Sequence, residues 1–355
     1  MVYRRKVMKK KIKISFIGVG FMSQIAHIKN FYNIENVELT DIADMDLNMA
    51  ENIKSSFGFK GNVYKDYRKL LNNKPDGVVV VVQRPLVTKI ISDALRKGIN
   101  VLSEKPPVFS VKDFRYCSSL QKKNIWIKGF NRRWDSSLID LRNNFDNYSK
   151  GLGKLITVDY NIKAGNTYLD QKHHSKPTLK TKFFEGIKNN YPSFLPKKFE
   201  NLYEMHWNST CHYLDLYNFF KFDKLRDFKT NLKQDFFSSS FNAKFNKENI
   251  FCSLNIVNSK VNDWFEDMYF NFQNGNINIK FTSPLYTGSG HKVIINNSLG
   301  NRQLILSKIN DNSFKNQAIG FSDLILNRSK EQINSKDGIS SIKTYEDIWR
   351  NYLDL

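Results

Sequence analysis

The segment Glu104-Lys105-Pro106 follows a strand that we predict to be buried, and it places a single lysine, Lys105, at the end of that strand. A lysine amine can take a proton from a hydroxyl group or return it, so a lysine in a cleft is a candidate for acid–base chemistry. Pro106 disfavours helical backbone angles at Lys105 and therefore favours an extended turn there. The segment predicts a proton-handling site, provided that the rest of the chain builds a cleft around it.

A glycine-rich loop, Gly18-x-Gly20-x-x-Ser23, directly follows the predicted strand Ile12–Ile17. In the dinucleotide fingerprint the first glycine allows a tight turn, the second lets the backbone approach the pyrophosphate, and the third allows close helix–strand packing. Ser23 replaces the third glycine but is small enough to keep most of that packing. A glycine after a strand is often only a turn, yet the strand–loop–helix context here favours a phosphate site at a helix N-terminus.

An acidic residue about 20 positions further on should hold the adenosine ribose. Asp41 and Asp44 both qualify, and Asp44 is better placed because it follows the predicted second strand. Its carboxylate would repel a 2′-phosphate and Met45 adds no positive charge, so we favour NAD and leave NADP open. Asp46 fits a turn aspartate that caps the next helix, whereas Asp44 fits the cofactor role. The residues predicted to contact the cofactor are Gly18, Gly20, Phe21, Met22, Asp44, Gln83, Glu104 and Lys105.

Strands and helices alternate through the first third of the chain. The predicted strands are 12–17, 37–42, 78–82, 99–102 and 125–128, and the predicted helices include 24–30, 48–57, 67–71 and 88–97. This alternation predicts an α/β Rossmann domain, a doubly wound parallel sheet with helices on both faces. The unbroken valine run 78–82 is typical of a parallel strand covered on both sides.

Beyond residue 150 the predicted strands follow one another without intervening helices, as 153–163, 228–233, 237–245, 250–257, 267–272, 277–281 and 292–295. Consecutive strands of this kind predict an α+β domain with a mostly antiparallel open sheet. We therefore predict a basic N-terminal extension over 1–10, a dinucleotide-binding domain over 11–130, a substrate and oligomerisation domain over 131–335, and a C-terminal helix over 336–355. Met8 is an alternative start to Met1.

The net charge of +21 allows three interpretations. A basic surface could bind nucleic acid, could attract an anionic substrate, or could reflect a general bias toward lysine. The lysines are scattered, and no basic block stands where a recognition helix or arm would need it. We favour the general bias and expect no nucleic-acid partner.

Three widely spaced cysteines, Cys117, Cys211 and Cys252, suit a reducing compartment and give no metal-site spacing. No apolar run approaches the roughly 18 residues of a membrane span, and Met1–Lys13 lacks the apolar core of a signal peptide. We expect a cytoplasmic protein with no membrane partner and no metal. The His173-His174 pair reads as a solvated loop.

A second group of polar residues lies in the segment 204–215, which we predict to be helical. Asn208, His212 and Asp215 would share one face of this helix through their i, i+4 and i+7 spacing. A histidine on a partly apolar helix is often a satisfied core residue, whereas on a cleft it can act as an acid or base. His206 is ambiguous, and Cys211 fits buried packing.

These motifs resemble those of the glucose–fructose oxidoreductase, inositol dehydrogenase and rhizopine-catabolism family (Gfo/Idh/MocA). The residues that carry the resemblance are the glycine loop, Glu104-Lys105-Pro106, the segment 129–134 (GFNRRW) and the segment 211–216 (CHYLDL). They occur in the family's order and spacing over about residues 11–220, and the stretch 321–355 is similar to the family's terminal helical region.

The resemblance implies that Lys105 lies near C4 of the nicotinamide and that Glu104 contacts the nicotinamide ribose. It also implies that His212 acts as an acid or base or holds the reacting hydroxyl. Asn208 takes the place of an aspartate that often partners this histidine, and an amide cannot relay a proton. This difference makes a strict inositol-dehydrogenase mechanism doubtful and leaves Lys105 and His212 as the catalytic pair.

Asn131 and Arg133 follow the predicted strand 125–128, at the junction of the two domains. An arginine there could bind a substrate carboxylate, hydroxyl or phosphate, or pair with an acidic residue across the junction. The predicted substrate-binding residues are Asn131, Arg133, Asn208 and His212, and Asp215 is interpreted as structural.

The sequence thus predicts an NAD(P)-dependent oxidoreductase that moves hydride between nicotinamide C4 and a ring carbon of a sugar, cyclitol or nucleotide-sugar. The segments 129–134 and 211–216 look most like those of family members associated with surface-polysaccharide synthesis, and this resemblance implies a nucleotide-sugar or amino-sugar substrate. The alternatives are a non-catalytic protein that senses a dinucleotide or sugar, and an NAD-dependent glycoside hydrolase of the same family. The resemblance also implies a homo-oligomer, either a dimer or a tetramer.

Overall fold

The computed structural model describes residues 11–165, 176, 178, 190–259, 264–283, 285, 290–298, 302–327 and 338–355. The predicted extension 1–10 and the His173-His174 pair lie outside the described residues. Within the described part of the chain the strands form two sheets, one of six strands and one of eight. The predicted combination of a Rossmann sheet with a second, mostly antiparallel sheet is confirmed.

The first sheet consists of β1 (Ile12–Ile17), β2 (Val37–Ala43), β3 (Val63–Tyr64), β4 (Gly77–Val80), β5 (Asn100–Ser103) and β6 (Trp126–Lys128). Its strands are parallel and lie in the order β3-β2-β1-β4-β5-β6, as in a doubly wound fold. The valines of β4 are fully buried, as the run predicted. Strand β4 ends at Val80 rather than residue 82, because the neighbouring β1 ends at its partner Ile17.

The helices of this half are α1 (Lys29–Tyr32), α2 (Leu47–Phe57), α3 (Tyr67–Asn72), α4 (Arg84–Arg96) and α5 (Val111–Ser119). Gly58 ends α2 in the left-handed conformation, with φ of 64°. The predicted helix 24–30 differs in kind: a π-helical turn over Ser23–Ile28 comes first, and only then α1. π-helical turns are rare and occur often at functional sites.

The second sheet consists of β7 (Leu155–Ala164), β8 (Asp223–Lys233), β9 (Phe236–Phe245), β10 (Glu248–Asn258), β11 (Trp264–Phe272), β12 (Gly275–Lys280), β13 (Lys292–Asn297) and β14 (Arg302–Leu306). Its order is β14-β13-β12-β11-β7-β10-β9-β8, and the pairing of β7 with β10 is parallel. Alternate residues such as Val158, Tyr160 and Ile162 are buried on one face, which forms the core against the helices.

The remaining helices are α6 (Ser136–Asn143), α7 (Phe145–Tyr148), α8 (Glu200–Phe219), α9 (Ser313–Ile325) and α10 (Ile339–Tyr352). Helix α10 packs on α8, where Tyr345 stacks on Trp207 with ring centroids 4.7 Å apart. Helix α9 returns to the first sheet, and its Phe321 lies in the same core cluster as Phe16 of β1. The chain therefore crosses between its two halves more than once.

Candidate active site

The carboxyl ends of the parallel strands meet at one edge of the first sheet, which is where ligands bind in such folds. Gly18 follows β1, Asp44 follows β2 and Glu104 follows β5. Gln83 follows β4, is exposed, and forms the N-cap of α4. The fold thus gathers the residues that the sequence predicts for a cofactor along a single edge.

The glycine loop has the tight geometry that its sequence predicts. Gly18 has φ of +85°, and a Cβ atom there would lie 2.1 Å from the carbonyl oxygen of Val81. A Cβ atom at Gly20 would meet no atom of the described chain within 4 Å, so this glycine leaves open space. Ser23 is buried, and its hydroxyl has no hydrogen-bond partner among the described residues. An open glycine before an unpaired hydroxyl fits the phosphates of a dinucleotide.

Phe21 and Met22 lie between the glycine loop and the π-helical turn. Both are partly buried and pack in a small apolar cluster with Ile25 and Phe314. This cluster joins the loop to α9, so the conformation of the predicted phosphate site depends on a helix near the other end of the chain.

Asp44 is fixed by two backbone groups. Val19 N–H donates to its Oδ2 at 2.8 Å, and Asp46 N–H donates to its Oδ1 at 2.9 Å. Burial raises the pKa of Asp44, and these hydrogen bonds oppose that rise. Each carboxylate oxygen keeps a further lone pair for a ribose hydroxyl. Asp46 caps α2, since Met49 N–H donates to its Oδ1 at 3.0 Å.

Glu104 is held from two sides. His27 of the π-helical turn has Nε2 2.8 Å from Glu104 Oε1, and Lys105 N–H donates to Oε2 at 2.8 Å. Burial opposes ionisation of Glu104, but the hydrogen bond and charge of His27 hold its pKa below the usual value. The sequence predictions did not include His27. The available signal was a polar side chain on the turn that follows the glycine loop.

Lys105 reaches across to the second half of the molecule. Its peptide bond to Pro106 is cis, and its Nζ donates to the carbonyl oxygen of Asn208 at 3.2 Å. Asn208 Oδ1 lies 3.4 Å from the same amine. A Cβ atom at Gly129 would lie 2.9–3.0 Å from the backbone of Ser103 to Lys105, so a glycine is needed for this turn to fit beside β6.

His212 lies one turn after Asn208 on α8. Its ring is partly buried, and its Nδ1 has no hydrogen-bond partner in the described chain. Burial, together with the positive charges of Arg132 and Lys105, lowers the pKa of His212 well below its usual value. The lowered pKa keeps this imidazole neutral, so it can accept a hydrogen bond but is a weak proton acceptor. Lys105 and His212, which the sequence predicts to handle the proton, therefore both lie near Asn208. Lys105 contacts Asn208, and His212 lies one turn further along α8.

Arg133 pairs with Asp215 across the junction. Its Nε and Nη2 donate to the two carboxylate oxygens at 2.5 and 2.8 Å, so the guanidinium is engaged in a two-point ion pair. Of the two readings that the sequence left open, the pairing with an acidic residue is the one observed. Asn131 is 1% exposed and donates from Nδ2 to Ser313 Oγ at 3.0 Å. Its contact with a substrate stays a prediction.

Arg132 forms a second buried pair, whose partner the sequence did not predict. It donates to both oxygens of Glu266 at 2.8 and 2.7 Å, and Tyr160 donates to the same carboxylate at 2.5 Å. Although burial opposes its charge, Glu266 raises the pKa of Arg132, which therefore stays charged. This fixed cation favours neutral His212. Glu266 gave no signal because it lies on β11, far along the chain.

Among the residues that the structure describes, no group of three or more histidine, cysteine, aspartate or glutamate side chains is arranged to hold a metal ion. No helix in the described ranges is long and apolar enough to cross a membrane.

The parallel sheet and its glycine loop, which leaves room for phosphates, are the features of a dinucleotide-binding Rossmann fold. Lys105 lies at the junction of this fold with the second, mostly antiparallel sheet. Residues 12–125 match the family model described as "Oxidoreductase family, NAD-binding Rossmann fold" (GFO_IDH_MocA). This segment, about a third of the chain, is therefore similar to the NAD-binding domain of the Gfo/Idh/MocA oxidoreductases.

The chain is similar to known proteins over different lengths. The inositol 2-dehydrogenase of Salmonella typhimurium (strain LT2) is 25% identical over 141 residues, which is 38% of this chain and 41% of that enzyme. The chain thus matches only about two fifths of the length of these curated relatives.

Solved structures share the fold over nearly the whole chain. A 3-ketoreductase from Actinomadura kijaniata, solved with NADP and TDP-benzene, has a TM-score of 0.71 at 15% identity, covering 96% of this chain and 97% of that one. The apo scyllo-inositol dehydrogenase from Lactobacillus casei has a TM-score of 0.67 at 16% identity, covering 96% and 95%. The UDP-N-acetylglucosamine 3-dehydrogenase of Acidithiobacillus ferrooxidans has a TM-score of 0.69 at 13% identity, covering 95% and 96%.

Proposed function

We propose that this protein is an NAD(P)-dependent oxidoreductase that transfers hydride between nicotinamide C4 and a ring carbon of a sugar, cyclitol or nucleotide-sugar. The observation that carries the proposal is the position of Lys105. It follows β5 at the cofactor edge of the first sheet, and its Nζ is 3.2 Å from the Asn208 carbonyl on the helix that also bears His212. The Lys105 side chain therefore belongs to one half of the cleft and contacts the other half.

The residues along the edge of the sheet supply the cofactor site in this proposal. The glycine loop would take the phosphates, Asp44 the adenosine ribose, and Glu104 the nicotinamide ribose. Phe21, Met22 and Gln83 would contact the cofactor around these groups. The carboxylate of Asp44 supports NAD over NADP, because a 2′-phosphate beside it would be repelled. The ratio of NAD to NADP affinities for the wild type and for Asp44→Ala tests this choice.

A bound nicotinamide would supply or accept hydride at its C4. The Lys105 amine would take or return the proton of the reacting hydroxyl. Neutral His212 would accept a hydrogen bond from that hydroxyl or share its proton. Asn208 would orient Lys105 and bind substrate through its amide without carrying a proton. Asn131 and Arg133 would shape the substrate side of the cleft.

The names of similar proteins support the substrate class. They include an inositol dehydrogenase, a 3-ketoreductase solved with a TDP compound, and a UDP-sugar 3-dehydrogenase. Inositol and UDP-N-acetylglucosamine, which two of these names contain, both carry secondary hydroxyl groups on a ring. A nucleotide-sugar used for surface polysaccharide is our preferred candidate, and a free cyclitol is the second.

The test is turnover with a panel of nucleotide-sugars, sugars and cyclitols, followed by NADH absorbance, for the wild type and Lys105→Met. Loss of a positioned acid–base group should lower kcat by about 10²–10⁴-fold. The Kd for NADH, followed by fluorescence, should change little. Tight NADH binding without turnover of any compound would support a sensor instead. Sugar release without net NADH would support a glycoside hydrolase.

We also propose that the protein forms a homo-oligomer through the outer face of the second sheet. Phe251, Val257 and Phe265 are 42–49% exposed on β10 and β11, on the face opposite the core. Light scattering on the wild type and on Phe251→Ser/Phe265→Ser would test this, because a shift to monomer is expected only if that face is the interface. The three cysteines are free and buried, which supports a reducing, cytoplasmic location.

A further inference from the structure

We propose that His27 is a positioning residue that sets Lys105 in its working orientation by holding the carboxylate of Glu104. This inference rests on the proposed function for the meaning of Lys105 as the proton-handling group. The contacts on which it depends are those of the protein itself and need no ligand. They form a chain from the π-helical turn, through one carboxylate, to the backbone of the lysine.

The first step is the geometry at Glu104. Oε1 accepts from His27 Nε2–H at 2.8 Å, while Oε2 accepts from Lys105 N–H at 2.8 Å. The backbone of Glu104 is fixed separately, because its N–H donates to Val80 O at 2.9 Å. The carboxylate therefore turns back toward its own chain and holds the next residue, rather than pointing freely into the cleft.

The second step is the surroundings of this carboxylate. The side chain of Glu104 is only 13% exposed and that of His27 only 2%. A buried carboxylate is costly unless hydrogen bonds compensate for the lost water. Without the His27 ring, Glu104 would gain stability by turning toward solvent, and Lys105 N–H would then lose its acceptor.

The third step concerns what places the His27 ring beside Glu104. His27 lies on the π-helical turn Ser23–Ile28, and its ring packs edge-on against Phe314 at 5.4 Å. A π-turn rotates the following side chains relative to a regular α-helix. The same turn begins at Ser23, the third position of the glycine loop. One short segment thus carries the predicted phosphate site at its start and the support of Lys105 near its end.

The experiment compares His27→Phe with His27→Gln. Phenylalanine keeps a ring against Phe314 but has no donor for Glu104, whereas the amide nitrogen of glutamine reaches about as far as Nε2. The first readout is hydrogen exchange of the unliganded protein, resolved to single amides. Exchange at Lys105 should become about tenfold faster or more in His27→Phe, as expected for loss of a charge-assisted hydrogen bond, and should stay near wild type in His27→Gln. The Glu104 amide, bonded to Val80, is the internal reference.

The second readout is kinetic. If Lys105 is mispositioned, His27→Phe should lower kcat about 10–100-fold with a much smaller change in NADH affinity, and His27→Gln should restore most of the loss. His206→Phe removes another buried histidine, which bonds Lys233 O, and controls for general loss of stability. Circular dichroism and thermal melting establish that each variant is folded.

The outcomes separate the two proposals. Unchanged Lys105 exchange in His27→Phe, or equal effects of the phenylalanine and glutamine variants, would overturn the positioning role. Faster exchange at both Lys105 and Glu104 would indicate general loosening and would overturn it too. A wild type without turnover, but with the expected exchange pattern, would overturn the proposed function while leaving the structural link between His27 and Lys105 intact.

Discussion

Arg133 and Asp215 form a two-point ion pair that joins the segment after β6 to helix α8. The Asp215 side chain is 2% exposed and that of Arg133 16%, so the pair is largely removed from water. It anchors the helix that carries Asn208 and His212 to the turn beside the dinucleotide half. For this arginine the sequence left both substrate binding and pairing across the junction open, and the structure shows the pair that holds the two sides of the cleft together.

Breaking this pair should destabilise the fold. Arg133→Met removes the guanidinium that neutralises the buried carboxylate of Asp215, and the free energy of unfolding should fall by about 3 kcal/mol. The double variant Arg133→Met/Asp215→Leu should be less destabilised than the sum of the two single variants. Urea denaturation measures both effects. Additive losses, or a loss below about 0.5 kcal/mol in Arg133→Met, would show that the pair contributes little.

The two glycines of the loop should respond differently to alanine. Gly20→Ala has room in the protein, so its unfolding free energy should stay within about 1 kcal/mol of wild type. NADH affinity should fall at least about tenfold, because the added methyl group would occupy the space left for the pyrophosphate. Fluorescence titration and denaturation together test this separation.

Gly18→Ala is the matched comparison. It requires a positive φ and places a methyl group 2.1 Å from Val81 O, so its main effect should be loss of stability, of about 2 kcal/mol or more. If Gly20→Ala binds NADH normally, the loop is a structural turn and not the phosphate site.

Gly129→Ala should displace the backbone of Lys105. The added Cβ would press on the backbone of Ser103 to Lys105 at 2.9–3.0 Å, where little can give way. We expect a loss of about 1–3 kcal/mol of stability and a lower kcat, since a small displacement of a positioned group is costly. A crystal structure of the variant would report the shift of Lys105 Nζ from Asn208. An unmoved lysine with full activity would contradict this prediction.

His291 should make stability depend on pH. Burial, with a contribution from the charge of Arg132, lowers its pKa to about 4, whereas the unfolded imidazole titrates near 6.5. The unfolded chain therefore binds the extra proton between these pH values. The stability contributed by neutral His291 is fully present above about pH 6.5 and is lost as the pH falls toward 4.

His291→Gln should accordingly flatten the fall in unfolding free energy between pH 6.5 and 5, by at most about 1.4 kcal/mol per pH unit. Asp135, whose pKa burial raises to about 6, has the opposite effect but is present in both proteins. Denaturation at several pH values measures the difference. Parallel pH profiles for the two proteins would rule out a neutral buried His291.

Much of the site could be predicted because it depends on local patterns. The glycine loop, Asp44 and Glu104 each follow a strand whose periodicity is visible in the sequence, and parallel strands place their ends at one edge. The valine run predicted a fully buried strand but not its end at Val80, which is decided by the length of its neighbour.

Other features could not be predicted from such patterns. The sequence predictions gave an ordinary helix where the π-helical turn occurs, because a single additional residue per turn leaves no clear periodic signal. They omitted β14, a short edge strand, and the parallel pairing of β7 with β10. Each depends on which distant segment lies beside the strand.

The sequence by itself determined the two-sheet architecture, the sheet edge predicted to bind the cofactor, and the residue types of the site. The reason is that hydrophobic periodicity and strand direction can be inferred from short segments of the chain. Only the tertiary structure decided which side chains of the site contact one another. His27 meets Glu104 across 77 positions, Arg133 meets Asp215 across 82, and Lys105 meets Asn208 across 103. The ends of such pairs are brought together by the packing of α8 and the π-helical turn against the sheet, and no short-range pattern encodes that packing.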